Sequence, residues 1–150
     1  MSATAIDRHW MAQALSLGAI AEGTTSPNPR VGCLLVRDDG VVGRGYHRAP
    51  GQPHAEILAL REAGSAARGA TMYVSLEPCA HHGRTPPCVA ELMRSGVKRV
   101  VAAMQDPDPR VDGRGFAELR QGKVAVEVGV LGAESRRLNE PFIRFLGGRK

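Results

Sequence analysis

The sequence predicts an α/β fold, a three-layer α-β-α sandwich with a mixed five-stranded sheet at its centre. Three observations support this prediction. A short apolar run, "VGCLLV", and a second strand, "VVGRGYH", are separated by the turn sequence "RDDG", which favours an antiparallel hairpin. Helix-length and strand-length segments then alternate to the end of the chain. Strands joined through helices are expected to run parallel, with right-handed crossovers.

The first half of the chain is predicted to form a helix, two strands, a helix and a strand. Apolar residues at helical spacing indicate the first helix, with Ser2 or Thr4 available as its N-cap. The second helix begins near Pro53 and continues to Gly64. The five predicted elements cover 4–21, 31–36, 41–47, 53–64 and 71–76.

The second half is predicted to form three helices and two strands in alternation. The first of these helices begins near Pro86 and Pro87, since proline is common in the first turn of a helix. The last helix contains Pro141, which is expected to kink it. The predicted elements cover 86–96, 98–104, 115–122, 124–131 and 133–146.

Length and composition favour one globular domain, residues 1–150. Apolar residues make up 43% of the chain, which argues against disorder. No apolar run reaches the roughly 18 residues that span a membrane, and Asp7, Arg8 and His9 stand where a signal peptide would have an apolar core. We therefore expect a cytoplasmic protein. Three cysteines, an odd number, favour metal binding or catalysis over disulfides.

The net charge of +5 would suit an anionic substrate or a nucleic acid. The arginines and lysines are scattered along the chain, which is typical of a solvated basic surface. Only 4% of the residues are aromatic, so few side chains could stack on single-stranded bases. We therefore expect no nucleic-acid partner.

Two segments contain the residue types of a metal site. "PHAE" opens the second helix with His54 and Glu56, and "EPC…PPC" leads into the third with Cys79 and Cys88. Both lie at strand-to-helix junctions, which line the crevice of open α/β sheets. One imidazole and two thiolates suit Zn²⁺, and three protein ligands leave a fourth position for water, as in catalytic zinc sites.

Glu56 is a candidate for proton transfer. It lies two residues after His54 in the same helical turn, so the two side chains cannot point in the same direction. It can hydrogen-bond a zinc-bound water without ligating the metal. Zinc nucleobase deaminases have these groups in an H-x-E…P-C-x-x-C signature, but here eight residues instead of two separate the cysteines.

Longer motifs make the resemblance more specific. The chain resembles the deaminase domain of the bacterial bifunctional riboflavin-biosynthesis proteins, the diaminohydroxyphosphoribosylaminopyrimidine deaminases, in which the longer cysteine spacing is the rule. The resemblance covers nearly the whole chain, from Ile6 to Phe145. The segments that carry it are "SPNPRVG", "GYH", "PHAEILAL", "ARGATMYVSLEPCAHHGRTPPC", "DPDPRVDGRG" and "LNEPF".

The resemblance implies a cytidine deaminase-like fold and a reaction in riboflavin biosynthesis. This reaction is the zinc-dependent hydrolytic deamination of the pyrimidine of 2,5-diamino-6-ribosylamino-4(3H)-pyrimidinone 5′-phosphate. By the same resemblance, Zn²⁺ is held by His54, Cys79 and Cys88, and Glu56 is the proton shuttle for a zinc-bound hydroxide. The implied substrate contacts are Asn28, His47, His81, Arg84 and Asp106.

The chain departs from the family at two points. Asp108 stands where the family commonly has asparagine. The family's usual chain continues into a reductase domain, whereas this one ends at Lys150. A stand-alone deaminase with a separate reductase and an excised domain both agree with this. Because related deaminases assemble, we expect a homo-oligomer.

Two alternative functions stay open at this point. One is a deaminase of another nucleobase, such as tRNA adenosine, which the net charge favours and the cysteine spacing opposes. The other is a non-catalytic binding module stabilised by zinc, with His81 or His82 as fourth ligand, which gives Glu56 no role. Cys33 lies in an apolar strand and is expected to be a buried core residue instead of a ligand.

Overall fold

The protein is described here by a computed structural model, which covers residues 4–20, 29–48, 52–79, 88–109, 111 and 113–147. Within these residues the strands are β1 (Gly32–Arg37), β2 (Gly40–Tyr46), β3 (Thr71–Val74), β4 (Arg99–Ala102) and β5 (Ala125–Val128). The α-helices are α1 (Ala5–Ala19), α2 (Ala55–Ala63), α3 (Cys88–Ser95), α4 (Arg114–Gln121), α5 (Gly132–Leu138) and α6 (Glu140–Gly147), and a short 3₁₀ helix, Gly64–Ala67, follows α2.

The strands form one mixed sheet in the order β2-β1-β3-β4-β5. β1 is antiparallel to both β2 and β3, whereas β3, β4 and β5 run parallel. Asp38 and Asp39 in the hairpin turn have φ angles of 51° and 62°, the left-handed values that a type I′ turn requires. The predicted α/β fold and mixed five-stranded sheet are confirmed.

Helices cover both faces of the sheet. Leu34 and Val36 of β1 pack with Met11 of α1 on one face. Cys33 and Leu35 point to the opposite face, because successive residues of a strand alternate, and they belong to the core beneath α2, α3 and α4. Cys33 is fully buried there, as expected. Within the described residues, no helix is both long and apolar enough to cross a membrane.

Two glycines of β2 allow α2 to lie directly on the sheet. A Cβ atom at Gly43 would be 2.2 Å from the carbonyl oxygen of Ala59, and one at Gly45 would be 2.5 Å from that of Ala55. No other residue permits so close an approach. The packing fixes the N-terminus of α2, and with it His54, at the end of the sheet.

A polar cluster attaches α1 to the sheet. Asp7 of α1 accepts a hydrogen bond from the Tyr73 hydroxyl at 2.7 Å and two from the Arg99 guanidinium at 2.9 and 3.0 Å. Arg99 also binds Glu127 at 2.7 Å. The hydrogen bonds from Arg99 are the main reason why the pKa of Asp7 is lowered from 3.8 to about 2.

The C-terminal region contains two helices where the sequence predicts one kinked helix. α5 and α6 are separated at Asn139, whose buried amide accepts a hydrogen bond from the backbone of Arg30 at 2.6 Å and donates one back at 3.1 Å. Pro141 lacks the N–H that a continuous helix would bond to Arg137. The single helix over 133–146 is therefore a wrong prediction, although Pro141 contributes to the break.

Candidate active site

His54 and Glu56 lie at the N-terminus of α2, at the end of the sheet where β2 and β3 finish. His54 is the N-cap residue and has an extended backbone, with φ −70° and ψ 160°. Glu56 lies in the first turn and is buried, with 4% of its surface exposed. The two side chains therefore leave the helix in different directions, as the sequence predicts.

Cys79 and Cys88 come together at the start of α3. Cys88 is the first residue of this helix, and its backbone N–H donates to Cys79 Sγ at 3.3 Å. The N–H of Val89 donates to the Cys79 carbonyl at 3.1 Å. Cys79 thus accepts two of the N–H groups that a helix leaves unpaired in its first turn. This capping brings the two sulfurs together, although eight residues separate the cysteines in the chain.

Three donor atoms converge at this point. His54 Nδ1 lies 3.2 Å from Cys88 Sγ and 3.7 Å from Cys79 Sγ. The three ligand atoms all lie within 4.8 Å of one another. Zn–N and Zn–S bonds at a tetrahedral ion put nitrogen and sulfur ~3.6 Å apart. His54, Cys79 and Cys88 are therefore positioned to bind a metal ion, and their donor set fits Zn²⁺.

The ionisation of these groups follows from their contacts. The hydrogen bond from Cys88 is the largest of the effects that lower the pKa of Cys79 to about 4, and His54 adds to them. The same hydrogen bond and burial raise the pKa of Cys88. The hydrogen bond to Cys79 raises the pKa of His54. Burial raises the pKa of Glu56 to about 7, close to the value that suits a group which both takes and gives a proton at neutral pH.

A cavity of about 210 Å³ lies against two of the three donor residues, His54 and Cys79. His54, Glu56 and Cys79 line it, together with His47 and Asp106. A larger and more open groove of about 460 Å³ runs between α1 and β2. The smaller cavity is the better candidate for a substrate site, because these two metal-ligand residues and the buried carboxylates face it.

His47 is buried beside His54. The two rings meet edge to face with centroids 5.2 Å apart, and His47 Nδ1 lies 3.4 Å from the carbonyl oxygen of Pro53. A carbonyl only accepts hydrogen bonds, so Nδ1 carries the proton and Nε2 can accept. Burial lowers the pKa of His47, which favours this neutral form.

The structure brings together the predicted site residues that it describes. The metal-ligand residues and Glu56 meet at the ends of β2 and β3, and His47 and Asp106 line the same cavity. Three predicted substrate contacts, Asn28, His81 and Arg84, lie outside the described residues.

The sequence motifs indicate no role for Glu77, and Asp108 differs from the asparagine that the family commonly has. Both are buried and line the cavity, at 4% and 5% exposure. Glu77 accepts hydrogen bonds from four backbone N–H groups (those of Asp106, Gly113, Gly115 and Phe116). The one sequence signal for Glu77 was its position in "LEPC", directly before Pro78 and Cys79.

Comparison with known proteins agrees with this geometry. The model of the family described as "Cytidine and deoxycytidylate deaminase zinc-binding region" matches residues 4–104. The match includes all three donor residues and Glu56.

Two curated relatives illustrate the similarity. The chain is 53% identical over 138 residues to the riboflavin biosynthesis protein RibD of Escherichia coli (strain K12), covering 92% of this chain and 38% of the relative. It is 44% identical to the diaminohydroxyphosphoribosylamino-pyrimidine deaminase of Buchnera aphidicola subsp. Schizaphis graminum, covering 92% of this chain and 94% of that one.

A solved structure, RibD of Acinetobacter baumannii, superposes with a TM-score of 0.92 at 48% identity. The match covers 94% of this chain and 40% of that one. The chain thus spans about two fifths of the RibD proteins that it matches, at 38% and 40% of their lengths.

Proposed function

Since the chain belongs to the cytidine and deoxycytidylate deaminase zinc-binding family, and within it to the diaminohydroxyphosphoribosylaminopyrimidine deaminases, we propose that it deaminates 2,5-diamino-6-ribosylamino-4(3H)-pyrimidinone 5′-phosphate. Water replaces one amino group of the pyrimidine and ammonia leaves. The observation that carries the proposal is the convergence of one imidazole and two sulfurs beside the buried carboxyl group of Glu56.

We assign the metal ligands to His54, Cys79 and Cys88. When bound, Zn²⁺ acidifies a water molecule and so supplies a nucleophile at neutral pH. Of the buried carboxylates in the cavity, Glu56 follows a ligand by two residues and has a pKa of about 7. In the proposed reaction Glu56 takes a proton from the attacking water and gives it to the ring nitrogen, and then moves the second proton of that water, from the added hydroxyl group, to the amino group that leaves as ammonia.

His47 and Asp106 are the proposed contacts to the pyrimidine among the described residues. The neutral His47 ring can accept a hydrogen bond at Nε2, and the Asp106 carboxylate accepts hydrogen bonds only. Acceptors of this kind suit a ring that carries amino groups. Asn28, His81 and Arg84 stay predictions, with the guanidinium of Arg84 the group best suited to the phosphate.

Four expectations belong to the proposal without support from the geometry. The chain is proposed to act as a single deaminase domain, to form a homo-oligomer, to work with a reductase carried on the same or a separate chain, and to reside in the cytoplasm. Gel filtration with light scattering would test the second directly.

The proposal is tested by measuring ammonia release from the pyrimidine nucleotide by zinc-loaded protein. A transfer RNA substrate for adenosine deamination is assayed in parallel. We expect turnover of the nucleotide only. Turnover of the RNA alone would replace the proposal by the second deaminase function, and a zinc-loaded protein that turns over neither substrate would favour a binding module.

A further inference from the structure

The buried carboxylate of Glu77 is bonded by four backbone N–H groups. Oε1 accepts from the N–H of Asp106 at 3.0 Å and of Gly113 at 3.1 Å. Oε2 accepts from the N–H of Gly115 at 2.9 Å and of Phe116 at 3.4 Å. A buried carboxylate is costly unless donors replace its water, and backbone donors form strong hydrogen bonds with an ionised acceptor. Glu77 is therefore held firmly in this position.

The four donors belong to the two ends of one segment. Asp106 lies just after β4, whereas Gly115 and Phe116 form the first turn of α4. The N-cap residue of α4 is Gly113, which makes no side-chain capping bond. Glu77 supplies the missing cap from another part of the chain, and its negative charge suits the N-terminus of a helix.

The segment that Glu77 holds forms part of the cavity wall. Asp106 and Asp108 are in this segment and line the same cavity as His54 and Glu56. The N–H of Asp108 also donates to Asp106 Oδ1 at 2.9 Å, so the position of one acid depends on that of the other.

The same segment touches the metal-ligand loop directly. A Cβ atom at Gly115 would lie 2.0 Å from the carbonyl oxygen of Pro78, the residue between Glu77 and Cys79. The contact and the four hydrogen bonds together fix the distance between the segment with Asp106 and the loop with Cys79.

We propose that Glu77 is a positioning residue for substrate binding, which holds Asp106 and Asp108 at a set distance from the metal-ligand loop. Because Asp106 is a proposed contact to the pyrimidine and Asp108 lines the same cavity, the inference rests on the proposed function. It predicts that loss of the Glu77 charge weakens substrate binding and leaves the metal site intact.

The first test compares Glu77→Gln with Glu118→Gln. A glutamine at position 77 keeps the shape but turns one acceptor oxygen into an NH₂ group that faces two N–H donors. Glu118 is exposed on α4, so its variant makes the same chemical change without touching the cavity. For Glu77→Gln we expect a full complement of zinc and a kcat within about threefold of wild type. KM should rise by about tenfold or more, which corresponds to the loss of a hydrogen bond to a charged group. The control should match wild type.

A second variant displaces the segment that contains Asp106 and Asp108 but keeps the Glu77 carboxylate. Gly115→Ala forces the first turn of α4 away from Pro78, whereas a Cβ atom at Gly40 would meet only the Arg37 carbonyl at 3.7 Å. We expect Gly115→Ala to raise KM without loss of zinc, and Gly40→Ala to leave both unchanged. This pair keeps the inference testable if Glu77→Gln does not fold.

Hydrogen exchange supplies a readout that needs no substrate. Exchange of the amides of residues 106, 113, 115 and 116 should accelerate at least about tenfold in Glu77→Gln and stay unchanged in the control. Unchanged exchange, unchanged KM or loss of zinc would overturn the inference. Wild-type protein that releases no ammonia would refute the proposed function, and the exchange rates would still decide whether Glu77 holds the segment.

Discussion

His54 Nδ1 lies 3.2 Å from Cys88 Sγ, although 34 positions separate the two residues in the chain. The first is the N-cap of α2 and the second begins α3, so each is fixed by the start of a helix. The contact joins the strand-to-helix junctions that follow β2 and β3, which lie on either side of β1 in the sheet, into one donor set. The metal site is therefore a product of the sheet topology as much as of the motifs.

Replacing Cys88 by serine is expected to weaken zinc binding by at least about a hundredfold, because a hydroxyl group is a poor substitute for a thiolate ligand. Cys33→Ser is the matched control, since Cys33 is buried in the core and does not belong to the donor set. Zinc content and a competition titration with a chelator measure the difference. Equal zinc affinity in the two variants would remove Cys88 from the site.

Gly45→Ala is expected to destabilise the fold by about 1–3 kcal/mol, since the added methyl group would lie 2.5 Å from the carbonyl oxygen of Ala55. α2 must then move away from β2 and carry His54 with it. A methyl group at Gly40 would meet only the Arg37 carbonyl oxygen, at 3.7 Å. Gly40→Ala should therefore change the free energy of unfolding by less than about 0.5 kcal/mol. Urea denaturation of both variants measures this. A Gly45 variant as stable as the control would contradict the close packing of α2 on β2.

Because Asp7 is ion-paired with Arg99 in the folded protein, we expect the free energy of unfolding to fall in acid. The folded-state pKa of Asp7 is lowered to about 2, so the carboxylate stabilises the fold above its unfolded pKa near 4 and loses this contribution as the pH falls to 2. The shift corresponds to about 2 kcal/mol. The free energy of unfolding of wild type should fall more steeply between pH 4 and pH 2 than that of Asp7→Asn.

Asp38→Asn is the control for this measurement, because the Asp38 side chain is 94% exposed in the hairpin turn. Its pH profile should follow wild type. Parallel profiles for Asp7→Asn and wild type would show that the Asp7–Arg99 pair does not contribute to stability in this range.

The sheet could be predicted because its signals are local. A tight hairpin turn and the alternation of helices and strands are properties of short segments, and both predictions are confirmed. The break between α5 and α6 depends on Asn139 and Arg30, which are 109 positions apart. A contact of this range leaves no periodic signal in the sequence, so the helical pattern over 133–146 predicts one helix where the structure has two.

The donor set was predictable for a chemical reason. Cysteine and histidine are rare in this chain, and their presence at strand-to-helix junctions is unusual enough to indicate a metal site. Glu77 was missed because a glutamate in a loop is usually exposed. Its importance comes from backbone N–H groups 29 to 39 positions away, and any residue except proline can supply such a group.

The role of Glu56 in proton transfer is tested by measuring the rate of ammonia release by Glu56→Gln together with its zinc content. Glu62→Gln is the control, since Glu62 lies on the same helix and is half exposed. We expect Glu56→Gln to keep about one zinc ion per chain and to lose at least about a hundredfold in rate, because general acid–base catalysis contributes that much or more. Glu62→Gln should keep both. A zinc-loaded Glu56→Gln protein that deaminates the nucleotide at the wild-type rate would contradict the account.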